Sequence, residues 1–155
     1  MMRRRSWCLW AGTSALLTVA GCNADSKEPP PLLVEVWKTP SCGCCTAWVE
    51  HLKAHGMRVL AYDVPDTAPF RAQLGMPVAY ASCHSARVAG YALEGHVPAA
   101  NILALLSRRP DAVGLSVPNM PIGSPGMEQG QQRDPYDVLL VQRDGTHRVF
   151  SSYRS

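Results

Sequence analysis

Residues 32–64 carry the pattern that most limits the fold: a β-branched run, a break, a helix-period stretch and a second β-branched run. Leu32-Leu33-Val34-Glu35-Val36-Trp37 reads as a buried strand that Pro40-Ser41 ends. Across 46–55, Trp48, Val49 and Leu52 share one helical face while Glu50 and Lys53 point away, and Gly56 supplies the stop. Residues 58–64 form the next strand. Two strands joined through one helix predict a right-handed βαβ unit with parallel pairing.

The remainder extends this α/β pattern. Residues 66–75 predict a short second helix, and Val78-Ala79-Tyr80-Ala81-Ser82-Cys83 with Arg87-Val88-Ala89-Gly90-Tyr91-Ala92-Leu93 predict a hairpin. A helix follows over 98–109, with Pro98 suited to its first turn and Ile102, Leu105 and Leu106 on one face. The expected order is thus β-α-β-α-β-β-α. Residues 117–132, rich in Gly, Pro and Met, predict an added loop. Val138-Leu139-Leu140-Val141 and Arg148-Val149-Phe150 flank Asp144-Gly145, a strong hairpin signal. There is no internal repeat.

The first 31 residues read differently. Arg3-Arg4-Arg5, an apolar run and small residues before a cut make 1–21 a secretory signal, too short for a permanent span. Its ending, Val19-Ala20-Gly21-Cys22, resembles a bacterial lipobox, in which the cysteine is acylated and becomes the first residue. A signal with an incidental cysteine, or a plain membrane anchor, is the alternative. Residues 22–31, with Pro29-Pro30-Pro31, then form a short tether, leaving 32–155 as the folded domain of a periplasmic lipoprotein. Removing three leader arginines leaves twelve basic against twelve acidic residues, which argues against a nucleic-acid footprint.

Cysteine usage carries the chemistry. Cys8 leaves with the signal and Cys22 is the lipidation site, so Cys42, Cys44, Cys45 and Cys83 remain. Three thiols within four residues are not the layout of a structural disulfide framework, even in an oxidising compartment. They lie at or near a helix N-terminus, where free N–H groups and the helix dipole favour thiolate. Cys42 and Cys45 have the C-x-x-C spacing of thioredoxin-like redox sites, and Met76-Pro77 stands where that fold places a cis proline. The expected architecture is therefore a thioredoxin-like βαβ-αββα core with an added C-terminal loop and hairpin.

Cys44 fits poorly with redox exchange alone, because exchange needs one attacking and one resolving thiol. Cu(I) favours soft sulfur ligands, low coordination numbers and bridging thiolates. Zinc usually takes two separated ligand pairs, and an iron–sulfur cluster is harder to acquire in the envelope. Met120 and Met127, in a Gly/Pro loop, are candidates for a copper or substrate role, with packing as the alternative. His84 and His96 are candidate ligands or supports of ligands; a polar loop histidine without a role is the default. His51 and His55, spaced i,i+4 beside Glu50 and Lys53, read as a solvated face.

Trp37-Lys38-Thr39-Pro40-Ser41-Cys42-Gly43-Cys44-Cys45 resembles the periplasmic CopG-type copper-resistance proteins, long catalogued as a domain of unknown function. Ser82-Cys83-His84, Gly90-Tyr91, Glu94-Gly95-His96-Val97-Pro98 and the stretch from Met120 to Glu128 also look like motifs of that family. The resemblance spans roughly 34–150. It implies a thioredoxin-like fold and Cu(I) bound by Cys42, Cys44, Cys45 and Cys83, as a multinuclear cluster. It also implies copper redox change, with copper ions and other envelope copper-handling proteins as partners. The alternative function is a periplasmic thiol–disulfide oxidoreductase in which Cys42 attacks and Cys45 resolves.

Overall fold

The computed structural model describes residues 32–154; the signal, Cys22 and the tether lie outside the described residues. Strand β1 (Leu33–Lys38), helix α1 (Gly43–Ala54) and strand β2 (Arg58–Asp63) form the expected unit, with β1 and β2 parallel. Helix α2 (Ala68–Gln73) follows, then strands β3 (His84–Val88) and β4 (Tyr91–Glu94), helix α3 (Ala99–Arg108) and strands β5 (Gly114–Ser116), β6 (Tyr136–Val141) and β7 (His147–Tyr153). The seven strands make one mixed sheet in the order β2-β1-β3-β4-β5-β6-β7.

Strand periodicity dictates how this sheet is covered. Val36, Ala86, Leu93, Leu115 and Leu140 stand directly opposite one another across β1, β3, β4, β5 and β6, and all are buried. Trp48 and Leu52 of α1 and Ile102 and Leu105 of α3 close over that face. Burying each large apolar side chain there contributes about 1.5–3 kcal/mol. Residues of opposite parity, Ala92 and Val141, meet Met76 and Tyr80 on the other face, where Phe70 of α2 stacks on Trp37. Helices therefore lie on both faces, and the β1–α1 loop opens at one end of the sheet.

Several expectations are corrected. Residues 78–83 are not a strand: Val78–Tyr80 is a 3-10 turn in which Tyr80 N–H bonds the Pro77 carbonyl. Tertiary bonds override the alternation there, since Tyr80 Oη donates to the Gly145 carbonyl and Ser116 Oγ donates to the Tyr80 carbonyl. The hairpin instead joins β3 to β4 through Ala89-Gly90, both at positive φ (46° and 87°), the conformation that matches strand twist. Cys83 accordingly precedes β3 rather than ending a strand. No cis peptide bond occurs among the described residues, so Pro77 is trans. Strand β5, only 3 residues long, carries too short a pattern to be legible. No helix among the described residues is long and apolar enough to cross a membrane.

His51 is likewise not a merely solvated residue. Its Nε2 accepts the Ala99 N–H at 3.1 Å, supplying the cap that Pro98 cannot give α3. Burial, then the neighbouring His55, hold its pKa below the usual histidine value, against a smaller opposing effect of Glu128. The neutral ring is thus favoured in the fold. Its contribution is complete above the unfolded histidine value and is lost as pH falls through the depressed folded one. His51→Ala is expected to cost about 1 kcal/mol in urea unfolding at pH 8 and almost nothing at pH 4. An equal cost at both pH values would remove the cap from this account.

Candidate metal centre

The thiols are brought together by local geometry first. Thr39-Pro40-Ser41 turns the chain out of β1, with Cys42 N–H bonding the Thr39 carbonyl, and α1 begins at Gly43. Cys42 is the N-cap residue, and Cys44 and Cys45 lie in the first turn, a turn earlier than the expected helix start. Among the described residues no side chain caps this end, so the N–H groups of the first turn, which carries Cys44 and Cys45, lack a side-chain acceptor. Trp48 Nε1 donates to the Val97 carbonyl at 2.9 Å, pinning α1 to the loop that carries His96.

Cys83 reaches the same point from the segment just before β3, whose first residue His84 stands opposite Lys38 at the end of β1. The sulfurs of Cys42, Cys44, Cys45 and Cys83 all lie within 4.8 Å of one another. Cys42 and Cys45 are joined as a disulfide, while Cys44 and Cys83 are free thiols. Cys44 Sγ is 3.5 Å from Cys42 Sγ. Burial, with the adjacent Cys44 thiol adding to it, pushes the Cys83 pKa up to about 12. Its sulfur is therefore a neutral thiol unless a cation draws the proton off.

Both candidate histidines also converge on Cys83. His96 Nε2 lies 3.0 Å and His84 Nδ1 3.3 Å from its sulfur, and the three donors fall within one 4.8 Å group. His96 Nδ1–H donates to the Pro125 carbonyl at 2.8 Å, which leaves the Nε2 lone pair aimed at the thiol. An imidazole fixed this way by a backbone carbonyl is the usual preparation of a metal-binding histidine. His84 is fully buried against Trp48, and its Nε2 has no hydrogen-bond partner among the described residues. Burial, then His96, pushes the His84 pKa down to about 3, and burial also lowers that of His96. Both rings are neutral and able to give lone pairs.

The Gly/Pro loop closes the site. A Cβ at Gly126 would lie 2.7 Å from both the Cys44 carbonyl oxygen and the Trp48 nitrogen, so the backbone of this loop lies directly on the first turns of α1. That places Met127 next to the cysteine-bearing helix, half-buried, with its N–H bonded to the Ser124 carbonyl. Met120 is 48% exposed and follows Asn119, whose carbonyl accepts from Ser82 Oγ.

Two buried charged residues, Glu94 and Lys38, stand in the sequence analysis only as members of motifs, with no role read for them. Glu94 is fully buried; it accepts from Ser82 N–H and Ser85 Oγ and pairs with Arg71 at 3.5 Å, which fixes the segment entering Cys83. Burial raises its pKa, opposed by those hydrogen bonds and by Arg71. Lys38, 8% exposed, bonds Asp63 at 2.6 Å across the ends of β1 and β2. Neither has a sequence signature beyond a charge at a strand end.

Known proteins resemble this chain in sequence and in fold. Residues 80–127 match a family described as a protein of unknown function, DUF411. Among curated protein sequences, none matches the chain. The solved structure of copper resistance protein copG, form 2, is 43% identical, covers 80% of this chain and 99% of its own, and superposes with a TM-score of 0.76. Form 1 is 42% identical, covers 81% and 99%, and gives 0.77.

Proposed function

Because the chain belongs to the CopG family of copper resistance proteins, we propose that it is an envelope protein that binds Cu(I) through Cys42, Cys44, Cys45 and Cys83. One observation carries this reading: four sulfurs from two separate segments meet within 4.8 Å. Such a donor set suits a soft cation, and thiolates bridge several Cu(I) ions when each needs only two or three sulfurs. Copper here is cargo or substrate. His96 and His84 add imidazole nitrogens on the Cys83 side, and Met127 and Met120 add thioethers. We take the β2-β1-β3-β4 part with its helices as a thioredoxin-like core, followed by the added loop and strands. The leader makes the protein a periplasmic lipoprotein acylated at Cys22, working among other envelope copper-handling proteins.

Interconversion of Cu(I) and Cu(II) follows from the same sulfurs. Two Cu(II) ions oxidise the Cys42–Cys45 dithiol: each ion gains one electron, the two sulfurs join, and two protons leave. Reduction of the disulfide by a dithiol donor restores the site. The disulfide also supports a second reading, thiol–disulfide exchange with Cys42 attacking and Cys45 resolving. Anaerobic titration of the reduced chain against a Cu(I) chelator separates the two. More than one Cu(I) per chain is expected. A chain that takes up no copper, or only a single zinc, would overturn the copper reading.

A further inference from the structure

The sheet has two unlike ends. The thiols lie where β1 and β2 finish and β3 begins; the opposite end is where β1 and β2 start and where the β3–β4 and β6–β7 turns sit. Register places Arg58 against Leu33 and Arg148 against Leu140 at that far end. Arg109 and Arg143 line one hollow there with Leu32 and Pro110, and Arg108 and Arg148 line a second with Pro110 and Phe150. All five arginines are exposed, against Asp111, which pairs with Arg143, and Asp144. Arg108 stacks on Phe150, and Val149 beside it is 54% exposed. The thiol end carries Asp63, Asp66, Glu94, Glu128, Asp134 and Asp137 against Lys38, Arg71, Arg133 and Arg154.

Leu32, the first described residue, lies at the arginine end. Nine residues lie between it and Cys22, and the whole step reaches about 35 Å at full extension. An acylated Cys22 therefore keeps the membrane near that end, but the tether alone does not choose which end touches it. Charge does. Exposed arginines interleaved with a few apolar side chains suit an anionic headgroup layer, whereas the acidic thiol end is repelled by it. We propose that the arginine end is a docking surface for anionic phospholipid headgroups and holds the thiol end facing away from the membrane. This rests on the reading of the leader as a membrane anchor and is independent of copper binding.

The test is cosedimentation with vesicles. The full chain carrying Cys22→Ser, which lacks the acyl group, is compared with the same chain also carrying Arg108→Glu, Arg109→Glu and Arg148→Glu. The leader is common to both, so it cancels. On vesicles with equimolar phosphatidylglycerol and phosphatidylcholine, the triple variant should bind roughly a hundredfold more weakly, from about fivefold for each arginine. On phosphatidylcholine alone, or in high salt, the two should bind alike. Copper titration of both chains checks that the fold and the thiol site are intact. Equal binding of the two intact chains to the anionic vesicles would overturn the proposal, whatever the copper result. If the triple variant takes up less copper, Arg→Gln at the same three positions replaces it and is held to the same comparison.

Discussion

Replacing Cys44 with serine is expected to cost the reduced protein copper as severely as replacing Cys42, and Cys83→Ser should do the same. Exchange chemistry predicts otherwise, because Cys44 is then a bystander beside the Cys42–Cys45 pair. In a shared thiolate set the four sulfurs act as one unit, so removing a bridging ligand weakens several metal–sulfur bonds together. Serine is close in shape, yet its hydroxyl is a hard, protonated donor at neutral pH and does not replace a soft thiolate. Loss of a partner that merely orients a ligand already costs about 10–100-fold in affinity, so loss of a ligand should cost at least that. Copper content and growth under copper are read for the four single variants. Wild-type values for Cys44→Ser and Cys83→Ser, with failure of Cys42→Ser and Cys45→Ser, would favour the exchange enzyme.

The half of the site on α1 was legible because its signal is local. A β-branched run, a Pro-Ser break and Trp48, Val49 and Leu52 at helical spacing place Cys42, Cys44 and Cys45 at one helix end with no knowledge of the rest. Cys83 was legible only in outline. Residues 78–83 alternate like a strand, but Tyr80 is held by Gly145 and Ser116, far along the chain, and no local pattern reports those bonds. The same holds for His51, whose partner Ala99 is 48 residues away. Glu94 was read only as part of a motif before His96; its burial against Ser82, Ser85 and Arg71 depends on β3–β4 register, which is tertiary information.

These long-range bonds give the two halves of the site different characters. The α1 half is built on one continuous helix. The Cys83 half is assembled from the segment before β3, the β4–α3 loop and the Met-bearing loop, locked by Ser82, Glu94, His96 and Pro125. Substitutions that leave every donor in place can therefore still disable the site by separating these segments.

Gly95→Ala is the sharpest case. Gly95 lies between Glu94 and His96 at φ +69°, where an L residue costs about 1–2 kcal/mol. A Cβ there would also overlap Ser82 Oγ and stand 2.6 Å from the Val117 carbonyl oxygen. Ser82 could turn aside only by giving up its bond to the Asn119 carbonyl, and the Val117 backbone is fixed by its N–H bond to Glu94. Forced overlap in packed surroundings adds about 1–3 kcal/mol, so the total should fall near 2–5 kcal/mol. Gly90→Ala is the matched control, with φ +87° but none of the described residues within 4 Å of an added Cβ, so it carries the backbone cost alone. Urea unfolding and copper titration are measured on both. Gly95→Ala should lose the larger stability and bind copper less tightly, because relief of the overlap moves Ser82 and with it Cys83. Gly90→Ala should bind copper normally. Equal stability losses with copper binding unchanged in both variants would show that the Ser82–Gly95 contact does not hold Cys83 in place.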